Sequence, residues 1–161
     1  MADAGQHGGA CPRLRGRSKK DEGDQALGRS RGGFSSKIHA ACDALGNPLR
    51  FDLTAGQAGD APKALGLIDG LETKAVLADR AYDSDAILDA VRDKKAEAVI
   101  PPNPTRSGQR QTNWLLYKER HKIEVMFGHM KHYRRIFARF EKLARRYLAF
   151  VHFAAACLLL R

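Results

Sequence analysis

The sequence has few cysteines and no long hydrophobic run. Cys11, Cys42 and Cys157 are widely spaced and form no C-x-x-C pair, so neither a disulfide framework nor a zinc site is indicated. The apolar segment from Leu148 to Leu160 contains His152 and is too short to cross a bilayer, so it predicts a buried terminal helix. Because the first residues also lack the apolar core of a signal peptide, we expect a cytoplasmic protein without a membrane partner.

A net charge of +10 is distributed unevenly over the 161 residues. Residues 1–34 contain seven Lys or Arg and four acidic residues, and residues 35–104 contain eight and eleven. Residues 105–161 contain thirteen against three, so the whole excess lies in the last third. A basic end on a mildly acidic body indicates a polyanionic partner, with nucleic acid as the first candidate. The alternative is a highly soluble, solvated surface.

Turn signals and hydrophobic periodicity divide the chain into two regions. Residues 1–26 are rich in glycine and basic residues and predict an irregular or disordered arm. Residues 27–161 predict one domain of the α/β class, with a mixed sheet and helices on its faces. Its predicted strands are 34–43, 49–54, 75–78 and 98–100, and its predicted helices are 60–70, a segment from 83, 113–132 and one or two more up to residue 161.

Asp79 is the first candidate site residue. It follows the apolar run Ala75–Ala78, so it would lie at the end of a buried strand, where ligands gather in open α/β sheets. A carboxylate at this place could bind a metal ion through its hard oxygen atoms. The alternatives are a helix cap or a salt bridge to Arg80.

A second candidate is the pattern Y-x2-R-x3-E-x6-K, formed by Tyr117, Arg120, Glu124 and Lys131. At 100° per residue these positions fall within about 60° of one another on a helix, beside an apolar arc. Such a stripe would place a carboxylate among phosphate-binding cations. The alternative is a solvated helix face with ion pairs at helical spacing.

Three smaller features are ambiguous. Trp114 near the helix start predicts a core anchor rather than a platform for base stacking. His129 and His132 have the spacing of metal ligands but no evident third ligand. The glycine-rich segment from Gly28 to Gly33 is compatible with a phosphate cradle or a flexible joint.

The motifs resemble those of DDE transposases from bacterial insertion sequences. The segment LGRSRGGFSSKIH at 27–39 resembles the start of that family's core, Ala78–Ser84 resembles its second-aspartate motif, and the Tyr-Arg-Glu-Lys spacing resembles its glutamate region. The resemblance covers residues 26–161 and implies an RNase H-like fold. It also implies that three acidic residues bind two Mg²⁺ or Mn²⁺ ions for strand cleavage and strand transfer at terminal inverted repeats.

The resemblance also implies residue roles. Asp79 would be the second metal ligand and Glu124 the third, and both would be catalytic. Tyr117, Arg120 and Lys131 would contact DNA near the scissile phosphate or the terminal bases. The later basic residues would bind along the phosphate backbone, which would explain the positive charge of the last third: Arg134, Arg135, Arg139, Lys142, Arg145 and Arg146.

The family's first aspartate has no counterpart in a strand-like context upstream of Gly28. We therefore expect the C-terminal part of a transposase, an RNase H-like core without its first strand, and a two-metal site only if that aspartate is supplied. A reading-frame change near 18–20 would explain the difference. Expected partners are double-stranded DNA (terminal repeats and target), a homo-oligomer and the product of an upstream frame, with the bound protein at the nucleoid. Alone, the chain is expected to be inactive; the alternative is a non-catalytic DNA-binding relic or regulator of transposition.

Overall fold

A computed structural model describes residues 24–30 and 33–160, and most of the predicted irregular arm lies outside these ranges. Its strands are β1 (Gly28–Ser30), β2 (Gly33–Cys42), β3 (Pro48–Ala55), β4 (Ala75–Leu77) and β5 (Glu97–Val99). Its α-helices are α1 (Ala61–Ile68), α2 (Asp85–Asp93), α3 (Trp114–Tyr117), α4 (His121–Met130), α5 (Arg134–Phe137) and α6 (Ala144–Leu159). The predicted mixed α/β class is confirmed.

The strands form two small sheets. β1, β2 and β3 lie side by side in that order, whereas β4 and β5 form a parallel pair with Val76 opposite Ala98. β1 is antiparallel to β2, with Gly28 opposite Ser35, so the start of the glycine-rich segment is a strand rather than a phosphate cradle. The turn from β2 to β3 contains Gly46 at a φ of +89°, a conformation that favours glycine.

The described chain divides into two compact units. The first contains 39–50 and 59–126, and its core is formed by apolar side chains of α1, β4, α2 and the turn between β4 and α2. α2 begins at the cap Ser84, whose Oγ accepts the Ile87 N–H at 3.4 Å. Its apolar positions Ile87, Leu88 and Val91 are buried, as their helical spacing predicts.

The single helix predicted over 113–132 is divided into two. α3 begins at Asn113, whose side-chain oxygen accepts the Leu116 N–H at 3.1 Å, and a 3-10 turn over Lys118–Arg120 separates α3 from α4. The tighter 3-10 geometry changes the angular spacing of side chains from the 100° per residue of an α-helix. The 3-10 turn contains Arg120 of the predicted stripe.

The second unit contains 24–30, 33–38, 51–58 and 127–160, and α6 is its longest helix. α6 buries one face through Tyr147, Val151, Ala154 and Ala155, so the predicted terminal helix is only partly buried. No helix within the described ranges has the length and apolar character needed to cross a membrane.

Arg139 is the centre of the second unit's polar contacts. The side chain is buried, and its guanidinium donates to the carbonyls of Gln25 at 2.9 Å, Lys142 at 3.1 Å and Glu141 at 2.9 Å. It also contacts the Ala26 carbonyl and the Ser36 hydroxyl, and it lies 5.3 Å from the centre of the Tyr147 ring. One planar cation thus joins the segment before β1 to the turn before α6.

Replacing Arg139 by Lys should destabilise the fold, because an ammonium cannot reproduce the forked donors that bind several carbonyls at once. We expect a loss of about 3 kcal/mol in the free energy of unfolding, measured by urea denaturation. Arg145→Lys at an exposed position is the matched control and should change stability by less than about 0.5 kcal/mol. Equal effects of the two substitutions would contradict this role for Arg139.

Candidate active site around Asp79 and Arg120

Asp79 lies two residues beyond β4, at the start of a 3-10 turn over Arg80–Tyr82. Its carboxylate is about one-third exposed. The Tyr117 hydroxyl donates to Asp79 Oδ1 at 3.2 Å, while Arg120 Nε lies 3.2 Å from the same oxygen and Nη1 lies 3.4 Å from Oδ2. The strand-end aspartate and the predicted Tyr-Arg stripe, 38 and 41 positions apart, are therefore in direct contact.

Arg120 also binds the second predicted carboxylate. Its Nη2 lies 2.8 Å from Glu124 Oε1, one helical turn further along the chain. Burial by itself would lower the pKa of Arg120, but the charges of Asp79 and Glu124 raise it, so the guanidinium stays protonated. Burial and the Asp79 charge raise the pKa of Tyr117, which keeps its hydroxyl a hydrogen-bond donor at neutral pH.

These side chains do not make a complete metal centre. Carboxylate oxygens suit Mg²⁺, but within the described ranges no cluster of three His, Cys, Asp or Glu side chains could hold a metal ion. Arg120 also already contacts oxygens of Asp79 and Glu124. His129 and His132 are both exposed and belong to no such cluster.

A pocket of about 320 Å³ adjoins Asp79 in the first unit. Its walls are formed by Asp79, Arg80, Ala81, Pro101, Trp114 and Tyr117. The predicted role of Trp114 as a core anchor is wrong, because its side chain is 59% exposed. The short helix α3 leaves the indole at the edge of the pocket, with its ring centre 5.5 Å from that of Tyr117 and nearly perpendicular to it.

Comparison with known proteins identifies the family. A family profile described as "Transposase DDE domain" matches residues 10–160. The chain belongs to this family of DDE transposases. It is 46% identical over 130 residues to a Brucella ovis protein named as a transposase for insertion sequence element IS6501, covering 80% of this chain and all of that protein. A Burkholderia cepacia protein named as a transposase for element IS402 is 34% identical over 128 residues, which cover 72% of this chain and 58% of the relative. No solved structure matches.

Membership in the DDE transposase family confirms the resemblance seen in the motifs. Four of the predicted site residues, Asp79, Tyr117, Arg120 and Glu124, belong to the first unit and are joined through Arg120. The remaining predicted DNA contacts belong to the second unit, so their role beside these carboxylates stays a prediction: Lys131, Arg134, Arg135 and Arg139.

The residues predicted to contact the DNA backbone differ in their solvent exposure. Arg134, Lys142, Arg145 and Arg146 are exposed, and Lys131 is partly exposed. Arg139 is buried and bonded to main-chain carbonyls, so the prediction that it contacts DNA requires these bonds to break.

Arg135 is exposed but already has partners. Its Nη1 lies 2.5 Å from Glu141 Oε1, and its guanidinium lies 4.7 Å from the centre of the Phe150 ring. A phosphate would have to compete with these contacts, so Arg135 is a weaker candidate for the DNA backbone than the exposed Arg145.

An aspartate that sequence reasoning treated only as a helix start organises the loop between β5 and α3. The carboxylate of Asp83 is fully buried, with Arg110 Nη2 2.6 Å from Oδ1, Arg106 Nε 3.2 Å from Oδ2, and the Asn103 N–H donating to Oδ2 at 2.6 Å. Burial alone would raise the pKa of Asp83, but the Asn103 N–H and the Arg110 guanidinium outweigh it and lower the pKa. The sequence feature that could have indicated a buried counter-ion is the pair Arg106 and Arg110 in an otherwise polar loop.

Removing the charge of Asp83 should release this loop. For Asp83→Asn we expect faster amide hydrogen exchange over 101–112 and a loss of about 3 kcal/mol in stability, because two arginines lose their buried counter-ion. Asp89→Asn, which breaks the exposed pair with Arg92, should cost no more than about 1 kcal/mol.

The same loop should loosen at low pH. Because the folded-state pKa of Asp83 is lowered, its contribution is complete above the usual aspartate value of 3.8 and is lost as the pH falls through the folded-state value. Protection factors over 101–112 that are equal in Asp83→Asn and Asp89→Asn and that do not fall at low pH would contradict the anchoring role.

Proposed function

We propose that this chain acts on the DNA of an insertion sequence, with Asp79 and Glu124 as carboxylates of the catalytic site. The observation that carries the proposal is the bridge by which Arg120 holds both carboxylates, in a chain of the DDE transposase family. Because the two carboxylates bind the same guanidinium, they are held at one site despite their like charge. An approaching DNA phosphate competes for the same guanidinium.

The residues around the bridge have distinct roles in this proposal. Arg120 is the phosphate-binding group, because its planar guanidinium can exchange a carboxylate for a phosphate oxygen with the same forked geometry. Tyr117 is a donor rather than a base, since its raised pKa keeps the hydroxyl protonated. It holds Asp79 in place when Arg120 turns to the DNA.

We further propose that the fold is an RNase H-like core completed by a strand from outside residues 24–160. A cavity of about 660 Å³ in the first unit supports this proposal. One wall contains Ala41 and Cys42 at the end of β2, another contains the whole of β4, and Arg120 and Ile123 contribute side chains. A strand in this cavity would link the two small sheets and could supply the third carboxylate.

A second candidate function is that of a non-catalytic DNA-binding relic or regulator of transposition. The observation in its favour is again Arg120, which forms ion pairs with both carboxylates. In this alternative the exposed cations bind the DNA backbone, and the carboxylates only position Arg120.

Cleavage assays separate the two functions. Purified chain should not nick terminal-repeat DNA in Mg²⁺ or Mn²⁺, because no group of three side chains within the described ranges could hold a metal ion, whereas the family resemblance implies three carboxylates. Adding the product of the upstream frame should produce nicking that Asp79→Ala and Glu124→Gln each reduce by at least about 100-fold, whereas the exposed Asp93→Ala should not. Nicking by the chain alone that depends on Asp79 would contradict the incomplete site, and no nicking in the completed mixture would favour the regulator.

DNA binding should depend strongly on salt. Each phosphate contact contributes about 0.9 to the slope of log affinity against log salt concentration. Arg145→Gln and Arg146→Gln should therefore each lower the slope by about 0.9 and weaken binding equally for all sequences, as measured by fluorescence anisotropy. Arg139→Gln should instead reduce the folded fraction, and a slope unaffected by the two exposed arginines would contradict their assignment.

A further inference from the structure

We infer that an aromatic-basic surface in the second unit, formed by Arg134, Phe137 and Phe140, binds single-stranded DNA. The inference rests on the proposed function, since it presumes that the chain acts on DNA. It goes beyond that function because it assigns a ligand to two phenylalanines that lie outside the Tyr-Arg-Glu-Lys pattern, and because it names the unpaired strand as a second form of that ligand.

The first observation is a pair of exposed aromatic rings. Phe137, the last residue of α5, is 55% exposed, and Phe140, in the segment between α5 and α6, is 44% exposed. Apolar rings in contact with water forgo the free energy of burial. Single exposed apolar side chains are common on protein surfaces, whereas a group of them marks an interaction site. The two rings therefore indicate a surface that another molecule covers.

The second observation is that the backbone carrying these rings is anchored in the interior. Ile136 is buried, and its carbonyl accepts a hydrogen bond from the Tyr147 hydroxyl of α6 at 2.9 Å. Arg139 is also buried and donates to main-chain carbonyls of the same segment. A buried residue thus directly precedes Phe137 and directly precedes Phe140. Because this backbone is fixed before a ligand arrives, less conformational freedom is lost when the rings bind.

The third observation is the charge around the rings. Residues 127–160 contain seven Lys or Arg and a single acidic residue, Glu141, whose side chain is 7% exposed and already forms an ion pair. Arg134 is exposed, and its guanidinium carbon lies 6.0 Å from the centre of the Phe140 ring. Lys142, two positions after that ring, is exposed as well. The complementary occupant is therefore an anion that also has flat apolar faces, and a nucleic acid has both in every nucleotide.

The chemistry of the phenyl ring favours a single strand over a duplex. A phenylalanine side chain has no hydrogen-bond donor or acceptor, so it cannot form the hydrogen bonds that distinguish paired bases in a groove. It can stack on the face of a base, as aromatic side chains do in proteins that bind single strands. A duplex would first have to be unstacked before the rings could enter it, which costs free energy that a single strand does not require. The aromatic-basic surface therefore fits the bases and phosphates of an unpaired strand.

Binding of three labelled probes to the full-length protein, measured by fluorescence anisotropy, tests the inference. The probes are a single-stranded oligonucleotide of about 12 nucleotides, a duplex of the same sequence and an abasic single strand of the same length. Phe137→Ala and Phe140→Ala should each weaken binding of the base-containing single strand by about 5- to 150-fold, because each removes a stacking contact. Phe140→Trp should retain the affinity, since it keeps an aromatic face.

Two further substitutions are the controls. Phe153→Ala removes a ring that is 66% exposed on α6, and it should not change binding of any probe. Arg145→Gln should weaken binding of the single strand and of the duplex, since a contact with the phosphate backbone does not require unpaired bases. Phe137→Ala and Phe140→Ala should leave binding of the duplex and of the abasic strand unchanged, which also verifies that both variants are folded.

The outcomes separate this inference from the proposed function. Single-strand affinity that is unchanged in either phenylalanine-to-alanine variant overturns the aromatic-basic surface and leaves the proposed function standing. A loss that is as large for the duplex or the abasic strand also overturns it, since the rings would then contact the backbone or stabilise the fold. Failure of the wild-type protein to bind any of the three probes overturns both.

Discussion

The bridge formed by Arg120 between Asp79 and Glu124 is the interaction on which the candidate site depends. Asp79 is supplied by the end of β4 and Glu124 by α4, and Arg120 lies in the 3-10 turn before that helix. Without a cation between them, the two carboxylates would repel each other in a partly buried setting. The guanidinium overcomes this repulsion and orients both groups, with Tyr117 as a second donor to Asp79.

Elsewhere in the chain, a buried aspartate and a buried arginine each hold several segments in place through charged hydrogen bonds. Asp83 binds Arg106, Arg110 and the Asn103 N–H, and so fixes the loop that leads to Trp114 and α3. In the second unit, the forked guanidinium of Arg139 donates to the carbonyl of Gln25, before β1, and to the carbonyl of Glu141, before α6. In both cases a charged group that would be costly to bury is compensated by several partners, which makes its geometry specific.

Local patterns predicted the elements well and the surroundings of single residues poorly. The hairpin, α1, β4, α2 and β5 were predictable because apolar spacing, turn residues and caps act over a few neighbouring positions. β1 was missed because three residues with two small side chains carry almost no strand signal. The burial of Arg139 and the exposure of Trp114 were not predictable, since both depend on what segments distant in sequence place around them.

The sequence by itself determined the mixed α/β class, the basic last third and the motifs of the DDE transposase family, because composition and spacing are properties of the chain alone. It also identified Tyr117, Arg120 and Glu124 as one group, since helical periodicity relates residues a few positions apart. Only the tertiary structure decided that Asp79 joins this group, that Arg120 binds both carboxylates and that Trp114 borders a pocket. The contacts of Asp79 with Tyr117 and Arg120 span 38 and 41 positions, and their formation depends on packing rather than on local pattern.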